Sequence, residues 1–360
     1  MSAGGAAATT PTPTIVLGGT GYVAGELLRL IAGHPALALA AVLSDSQPGQ
    51  RIAAAFPHLR SAYPETVFAS LDDIEVLVRR TPRLALFSAA PHGVSAAIVD
   101  QLLSAAHAAG STIHCVDISA DYRYSSAAAY ERVYKHPHGA PARIRDFTCA
   151  VPEHLRESPT PHVAHPGCFA TATLLASMPL LSLGLIVPQL FVAGITGSTG
   201  SGRKPTEGTH HPQRHGDLFA YGALAHRHEP EIAACAKAGS GVAAQFNFVP
   251  HSGPFARGIH VTVQAALKNP LSSAQALEGL RDFYAASAFI NVSTTAPRVK
   301  DVASSNYANL SAVTNGNSIA VMCAIDNLNK GAAGGAVQWM NRLLRLDETT
   351  GLRAPAPGWT

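Results

Sequence analysis

The sequence predicts an α/β protein: a doubly wound parallel sheet, then an α+β unit on a mixed or antiparallel sheet. Three observations predict it. Short apolar runs alternate with helical patterns through the amino-terminal half, as strand–helix–strand units require. A glycine-rich turn joins the first such run to the first helix. Period-two runs replace that alternation in the carboxy-terminal half. The 360 residues can bury two cores, and 47% apolar with 14% charged residues describes a compact globular chain.

Residues 1–13, rich in Ala, Thr and Pro, have no basic start or long apolar run, so a flexible tail is expected rather than a signal peptide. Thr14-Ile15-Val16-Leu17 is a strand, and Gly18-Gly19-Thr20-Gly21-Tyr22-Val23-Ala24 follows it into a helix. Gly19-x-Gly21-x-x-Ala24 satisfies the dinucleotide pattern of Rossmann-type sheets. Its demand is a tight turn with backbone bare enough for a pyrophosphate to reach the helix N-terminus. Residues 18 to 24 are therefore candidate cofactor contacts; a purely structural turn is the plainer alternative.

The next strand, Leu37 to Leu43, ends in Ser44-Asp45-Ser46. A carboxylate there suits a ribose 2′-hydroxyl and hence NAD. A 2′-phosphate needs Ser44, Ser46 and Arg51 to offset Asp45, which is otherwise a turn residue. Two further units run from Arg83-Leu84-Ala85-Leu86-Phe87-Ser88 to Pro91-His92-Gly93, and from Thr112-Ile113-His114-Cys115-Val116-Asp117 to Ser119 through Arg123. Ligands bind beyond the carboxyl ends of such strands, so both connections should face the cleft. Arg123 reads as an anion clamp, or as a surface partner of Asp121 or Glu131.

His165-Pro166-Gly167-Cys168-Phe169-Ala170-Thr171 is the stretch with nucleophilic chemistry. Pro and Gly stop what precedes, and the small apolar residues after Cys168 begin a buried helix that Pro179 should end. A thiol at a helix N-terminus is favoured as thiolate, which attacks carbonyl carbon at neutral pH. A small core cysteine is the alternative. The loop Gly197-Ser198-Thr199-Gly200-Ser201-Gly202-Arg203-Lys204 has Arg where a triphosphatase needs Lys. It could cradle a phosphate with backbone N–H groups, or simply be solvated.

Among the histidines that follow, His211 and His215 are spaced like metal ligands but lack acidic or thiol neighbours, so no metal is expected. His226 and His228 suit acid–base work beside Cys168. Residues 245–249, 258–266 and 318–325 alternate as strands, and Asp326 through Met340 reads as a small-residue helix. Five scattered cysteines without a C-x-x-C pair argue against a disulfide framework and for the cytoplasm. A net charge of +3 without a basic stripe argues against nucleic acid, and no apolar run reaches membrane-spanning length.

The segments GGTGYVAGELLRL, PHGVS, DISADYR, HPGCFATATLL, GSTGSGRK, FAYGALAHRHEPEI, VPHSGPFARGIHVTV and DNLNKGAAGGAVQWMNRLLRLDETTGL carry a resemblance. In this order, from Gly18 to Leu352, the chain resembles the N-acetyl-γ-glutamyl-phosphate reductases of arginine biosynthesis, relatives of the aspartate-semialdehyde dehydrogenases. PGC with its following Thr, HRHxPEI and DNLxKGAAG are the most specific pieces. The resemblance implies NADPH-dependent reduction of an acyl phosphate to an aldehyde, with Cys168 forming a thioester and His228, rather than His226, handling protons. It implies a nucleotide domain over 14–164, a catalytic and oligomerisation domain over 165–328, and a helix in 329–360 returning to the first. Cofactor contacts are then expected also from Pro91, His92, Gly200, Asn327, Lys330 and Gly331, and substrate contacts from Arg123, Ser198, Ser201 and Arg203. A homodimer or homotetramer is what the family suggests.

Ser44-Asp45-Ser46 stands where the family usually has a basic residue, which leaves NAD open beside NADP. His165 and Phe169-Ala170 replace the more usual Asn and Tyr-Pro. Three readings compete with reduction of acetylglutamyl phosphate. One is the same chemistry on a carrier-bound aminoadipyl phosphate of lysine biosynthesis; another is an aspartate-semialdehyde-type dehydrogenase. The third is a nucleotide-binding regulator without chemistry.

Overall fold

A computed structural model describes residues 10–358. Six strands, β1 (Thr12–Leu17), β2 (Leu37–Val42), β3 (Arg83–Ser88), β4 (Thr112–Asp117), β5 (Phe147–Cys149) and β6 (His162–Ala164), form one sheet in the order β2-β1-β3-β4-β6-β5. Every pairing in it is parallel. Helices α1 (Tyr22–Ala32), α2 (Ile52–Ala55), α3 (Leu71–Arg80), α4 (Ser95–Ala109) and α5 (Ala127–Tyr134) connect its strands. Ile15, Val16 and Leu17 are all buried, because a parallel strand covered by helices on both faces has no wet side.

The second sheet comprises β7 (Ile186–Thr196), β8 (Phe219–Ala220), β9 (Gln245–Ser252), β10 (Ile259–Leu267), β11 (Ile290–Val292), β12 (Ala308–Asn315) and β13 (Ser318–Ile325), ordered β11-β12-β13-β10-β7-β9-β8. It is mixed: β7–β9 and β11–β12 run parallel, while the other neighbours are antiparallel. One face packs on α6 (Cys168–Ser182), around which α7 (His211–Arg214), α8 (Glu229–Ser240) and α9 (Ser273–Phe283) are arranged in the chain. The chain then makes a π-helical turn, Asn329–Ala333, and enters α10 (Gly334–Leu343), which packs with α1 and β4 in the core of the first sheet.

The doubly wound parallel sheet and the second sheet agree with the sequence reading; two local expectations do not. The tail was expected to reach residue 13, and residues 1–9 of it lie outside the described residues. The strand however begins at Thr12, with Pro13 paired to Ala38. Pro is tolerated because the β3 partner starts only at Thr14, so Pro13 is met on one side. The short strands β5, β6, β8 and β11 and the longer β12 gave no readable signal.

Pro179 does not end its helix. α6 continues through it to Ser182, buried all round. A proline inside a helix leaves the carbonyl four residues earlier without its N–H. Here that carbonyl belongs to Leu175, and the Tyr284 hydroxyl donates to it at 2.7 Å. Tyr284→Phe should therefore lower unfolding stability by about 1–3 kcal/mol, the cost of an orphaned buried acceptor. Urea denaturation of the two proteins measures it; an unchanged midpoint would show that the helix does not rely on that bond.

Candidate active site

The carboxyl ends of β1, β3, β4 and β6 converge with the start of α6 and the loop before α8 on a cleft of about 320 Å³. Cys168 is the first residue of α6, with Gly167 as its extended N-cap. The thiol is partly exposed in this cleft, beside Arg123, His228 and Gly331. A Cβ on Gly331 would fall 2.8 Å from the Cys168 Cβ, so the π-helical turn packs directly beneath Cys168. Only glycine permits that approach.

The helix start does not ionise the thiol at rest. Burial pushes the Cys168 thiol up to about 11, against the pull of Arg123 and of the backbone N–H groups of Phe169 and Cys168. Desolvation thus opposes the resting thiolate that the helix terminus favours. The Gly167 N–H is not free for a substrate oxygen either, because it donates to Glu231 Oε1 at 2.6 Å.

Glu231 had no role in the sequence reading, since an acid in the first turn of a helix ordinarily just complements the dipole. Its side chain is fully buried, with Oε1 on Gly167 and Oε2 on Arg123 Nη1 at 3.3 Å. Arg123 also donates from Nε to the His165 carbonyl at 3.1 Å and from Nη2 to the Ile118 carbonyl at 2.7 Å. Its ion-pair partner is thus neither Asp121 nor Glu131. Arg123 lines the cleft, but most of its hydrogen-bonding capacity braces the loop that carries Cys168.

The two histidines separate. His228 lines the cleft, and a Cβ on Gly167 would meet its Nε2 at 2.5 Å. Burial, then His226 and the neighbouring arginines, hold its imidazole well below the usual range, so it stands neutral. Its Nδ1 is buried without a partner. His226 lies behind it, 4.7 Å ring to ring, packed on Phe169, Tyr221 and Phe248, with Nδ1 accepting from the His228 N–H at 3.2 Å. His226 does not line the cleft.

At the nucleotide end, the glycines divide by task. Gly18 adopts φ +77° and passes within 2.5 Å, measured from a Cβ position, of Ala89 O and Ala90 N; Gly19 is similarly crowded by Val42. Gly21 instead faces open space, with no atom nearer than 3.9 Å to its Cβ position. As N-cap of α1 it makes no side-chain cap, leaving that helix terminus to a ligand. Gly21, Tyr22, Val23, Pro91, His92, Gly200, Asn327 and Gly331 line the cleft, whereas Ala24 is buried in the core. Asp45 is exposed after β2; Ser44 is buried and accepts from the Gln47 N–H at 3.2 Å. An open helix terminus with bare backbone fits a dinucleotide.

Several other expected contacts are placed elsewhere. Lys330 does not reach the cleft: it is fully buried, with Nζ 2.5 Å from Glu153 and 2.7 Å from Gln338. That ion pair holds Glu153 down to about 2, although burial alone would raise it. Ser198 and Ser201 do not line the cleft; Thr199 does, with its hydroxyl donating to Ala256 O at 2.6 Å and accepting from Asn327 at 3.0 Å. Arg203 crosses to the nucleotide end, donating to Thr20 O at 3.2 Å and Ala55 O at 2.8 Å. Two buried aspartates brace the loops behind the cleft. Asp121 accepts from the N–H groups of Gly93 and Ala96, and Asp117 from Ser95 and Ser119.

Comparison with known proteins agrees with this geometry. Residues 14–158 match the semialdehyde dehydrogenase NAD-binding domain, and residues 168–327 match the semialdehyde dehydrogenase dimerisation domain. An N-acetyl-gamma-glutamyl-phosphate reductase of Pseudomonas putida (strain W619) is 37% identical over 344 residues, 94% of this chain and 96% of that protein. The chain belongs to the N-acetyl-gamma-glutamyl-phosphate reductase family. A second relative so named, from Pseudomonas aeruginosa PAO1, is 36% identical over 348 residues, with 94% of this chain and 96% of that protein covered. Among solved structures, aspartate semialdehyde dehydrogenase II of Vibrio cholerae, in complex with ASA, superposes with TM-score 0.68 at 14% identity, covering 94% of this chain and 99% of that one. The Candida albicans aspartate semialdehyde dehydrogenase with NADP gives 0.65 at 14% identity, covering 93% and 99%. These last two show the fold shared beyond the reductase family.

Alkylation of Cys168 reports its ionisation. In the free protein, the iodoacetamide rate at Cys168 should climb through pH 9 toward a midpoint near 11, because the thiolate is the reacting form. Arg123→Leu should move that midpoint higher, since its charge lowers the pKa. Peptide mass spectrometry over a pH series measures both; a plateau already reached at pH 7 would reinstate a resting thiolate.

Proposed function

We infer that the protein reduces N-acetyl-γ-glutamyl phosphate to N-acetylglutamate 5-semialdehyde and phosphate, through a thioester on Cys168. The observation that carries this reading is the single cleft in which Cys168, at the start of α6, meets His228 and the open end of α1. The relatives' names supply the substrate.

In this reading Sγ of Cys168 attacks the acyl carbon while its proton passes to the neutral His228, and the acyl–oxygen bond breaks as phosphate leaves. When bound, NADPH supplies the hydride that a thioester accepts more readily than a carboxylate does. His228 then returns a proton as the carbon–sulfur bond breaks and the aldehyde departs. Gly167 and Arg123, both fixed by Glu231, hold the thiol's backbone still through these steps. The backbone N–H groups of Cys168 and Phe169 face the sulfur and favour its anion.

The same reading takes 14–164 as the nucleotide domain and 165–328 as the catalytic domain, with 329–360 returning to the first. α10 supports this, because it packs with α1 and β4. Assembly as a homodimer or homotetramer is supported by the outer face of the second sheet, where Val187, Phe191 and Val313 are exposed opposite the face that covers α6. The matching dimerisation-domain model supports it further. Among the described residues all five cysteines are free and no helix is long and apolar enough to cross a membrane, which suits work in the cytoplasm.

Cys168→Ser should abolish phosphate-dependent oxidation of N-acetylglutamate semialdehyde while leaving nucleotide affinity intact, since the glycine turn lies on another segment. Loss of nucleotide binding in that variant would make Cys168 structural instead. Asp45 is exposed just after β2, with no ion pair among the described residues, and its charge opposes a 2′-phosphate. Asp45→Ala should therefore shift the NADP-to-NAD ratio of kcat/KM toward NADP, by roughly tenfold for a lost charge contact. An unchanged ratio places Asp45 outside the ribose site.

A further inference from the structure

Three arginines line the cleft and, among the described residues, no aspartate or glutamate does. Two of the three are already spent on the protein. Arg123 braces Glu231 and the carbonyls of His165 and Ile118, and Arg203 holds the carbonyls of Thr20 and Ala55 at the nucleotide end. Arg227 is different. Its guanidinium is exposed at the cleft and makes no hydrogen bond or ion pair with any described residue.

Arg227 is nevertheless held in place. Its carbonyl accepts from the Tyr124 hydroxyl at 3.1 Å, which fixes the backbone between His226 and His228. Its guanidinium carbon stands 5.9 Å from the ring centroid of Tyr134, which also lines the cleft. An aromatic ring orients a guanidinium while leaving its donors free. All five N–H groups thus remain for a ligand, on the residue preceding the cleft histidine.

We propose that Arg227 is a specificity residue that takes the substrate's free carboxylate, the one not carried as acyl phosphate. This rests on the function proposed above, whose substrate carries such a group. A planar fork of donors matches a carboxylate in a bidentate pair, and the absence of acids in the cleft wall leaves no competing partner. The site thereby selects an acyl phosphate that bears a second anion several bonds from the reacting carbon. Aldehydes without that anion are poor substrates for the reverse reaction.

Steady-state kinetics of the full chain in the oxidative direction test this, with N-acetylglutamate semialdehyde, inorganic phosphate and NADP. Arg227→Leu should raise KM for the semialdehyde by ~10- to 100-fold, the worth of a charged hydrogen-bonding pair, with little change in KM for phosphate. Arg227→Lys should recover part of the loss. The wild type should prefer the semialdehyde over 4-acetamidobutanal, which lacks only the carboxylate, and Arg227→Leu should lose that preference. Unchanged NADP affinity in the variant shows that it is folded. A rise in KM for phosphate instead of the semialdehyde, or no change in either, overturns the assignment. A wild type that oxidises no γ-semialdehyde overturns the function itself, a result distinct from both.

Discussion

The site depends on one buried carboxylate. Glu231 sits inside the protein with no solvent to share its charge, and it takes two partners from two different segments: the Gly167 N–H and the Arg123 guanidinium. A lone carboxylate there would cost several kcal/mol, so the pairing is obligatory rather than decorative. The geometry it enforces is specific. α8 is locked to the residue before Cys168, and both are locked to the loop after β4. Since His228 directly precedes α8, the same constraint sets the imidazole against the backbone of Gly167. Cys168, His228 and Arg123 are thereby braced as one unit.

A second set of buried charges joins the two sheets. Asp326 accepts from Arg257, from the Ser304 N–H and from the N–H groups of Leu328 and Asn329, which start the π-helical turn under Cys168. Arg257 also reaches Glu26 on α1, so the helix that opens the nucleotide site is tied to that turn. Lys330 and Glu153 make a further buried pair beneath it. Apart from the turn that Asp326 caps locally, these partners are too far apart in sequence for spacing to announce the contact.

That distance explains what was legible. Cys168 could be placed at a helix start because Pro166 and Gly167 act locally, and the glycine turn declared itself because its neighbours in sequence are its neighbours in space. The parallel sheet was readable from alternation for the same reason. Lys330 read as a cofactor contact because a motif names residues without saying which way they point, and burial decided otherwise. Ser198 and Ser201 lost their place to Thr199, which Asn327 reaches from the end of β13. Pro179 failed as a stop signal since Tyr284, more than a hundred residues on, supplies the missing donor. Glu231 lies inside the HRHxPEI motif, but nothing in the sequence says that its carboxylate turns inward to Gly167 and Arg123.

The thiol shows how competing effects must be weighed rather than named. A helix N-terminus and an arginine both favour the anion, yet burial beside Gly331 pulls the other way and raises the thiol. His228, neutral for the same reason, cannot hold that proton cheaply while its Nδ1 lacks a partner. Resting sulfur and imidazole are therefore both uncharged, and transfer between them creates an ion pair. An anionic substrate beside His228 favours the imidazolium, and Arg123 favours the thiolate it leaves behind. A bound anion and Arg123 thus act together to favour the separated charges that burial opposes.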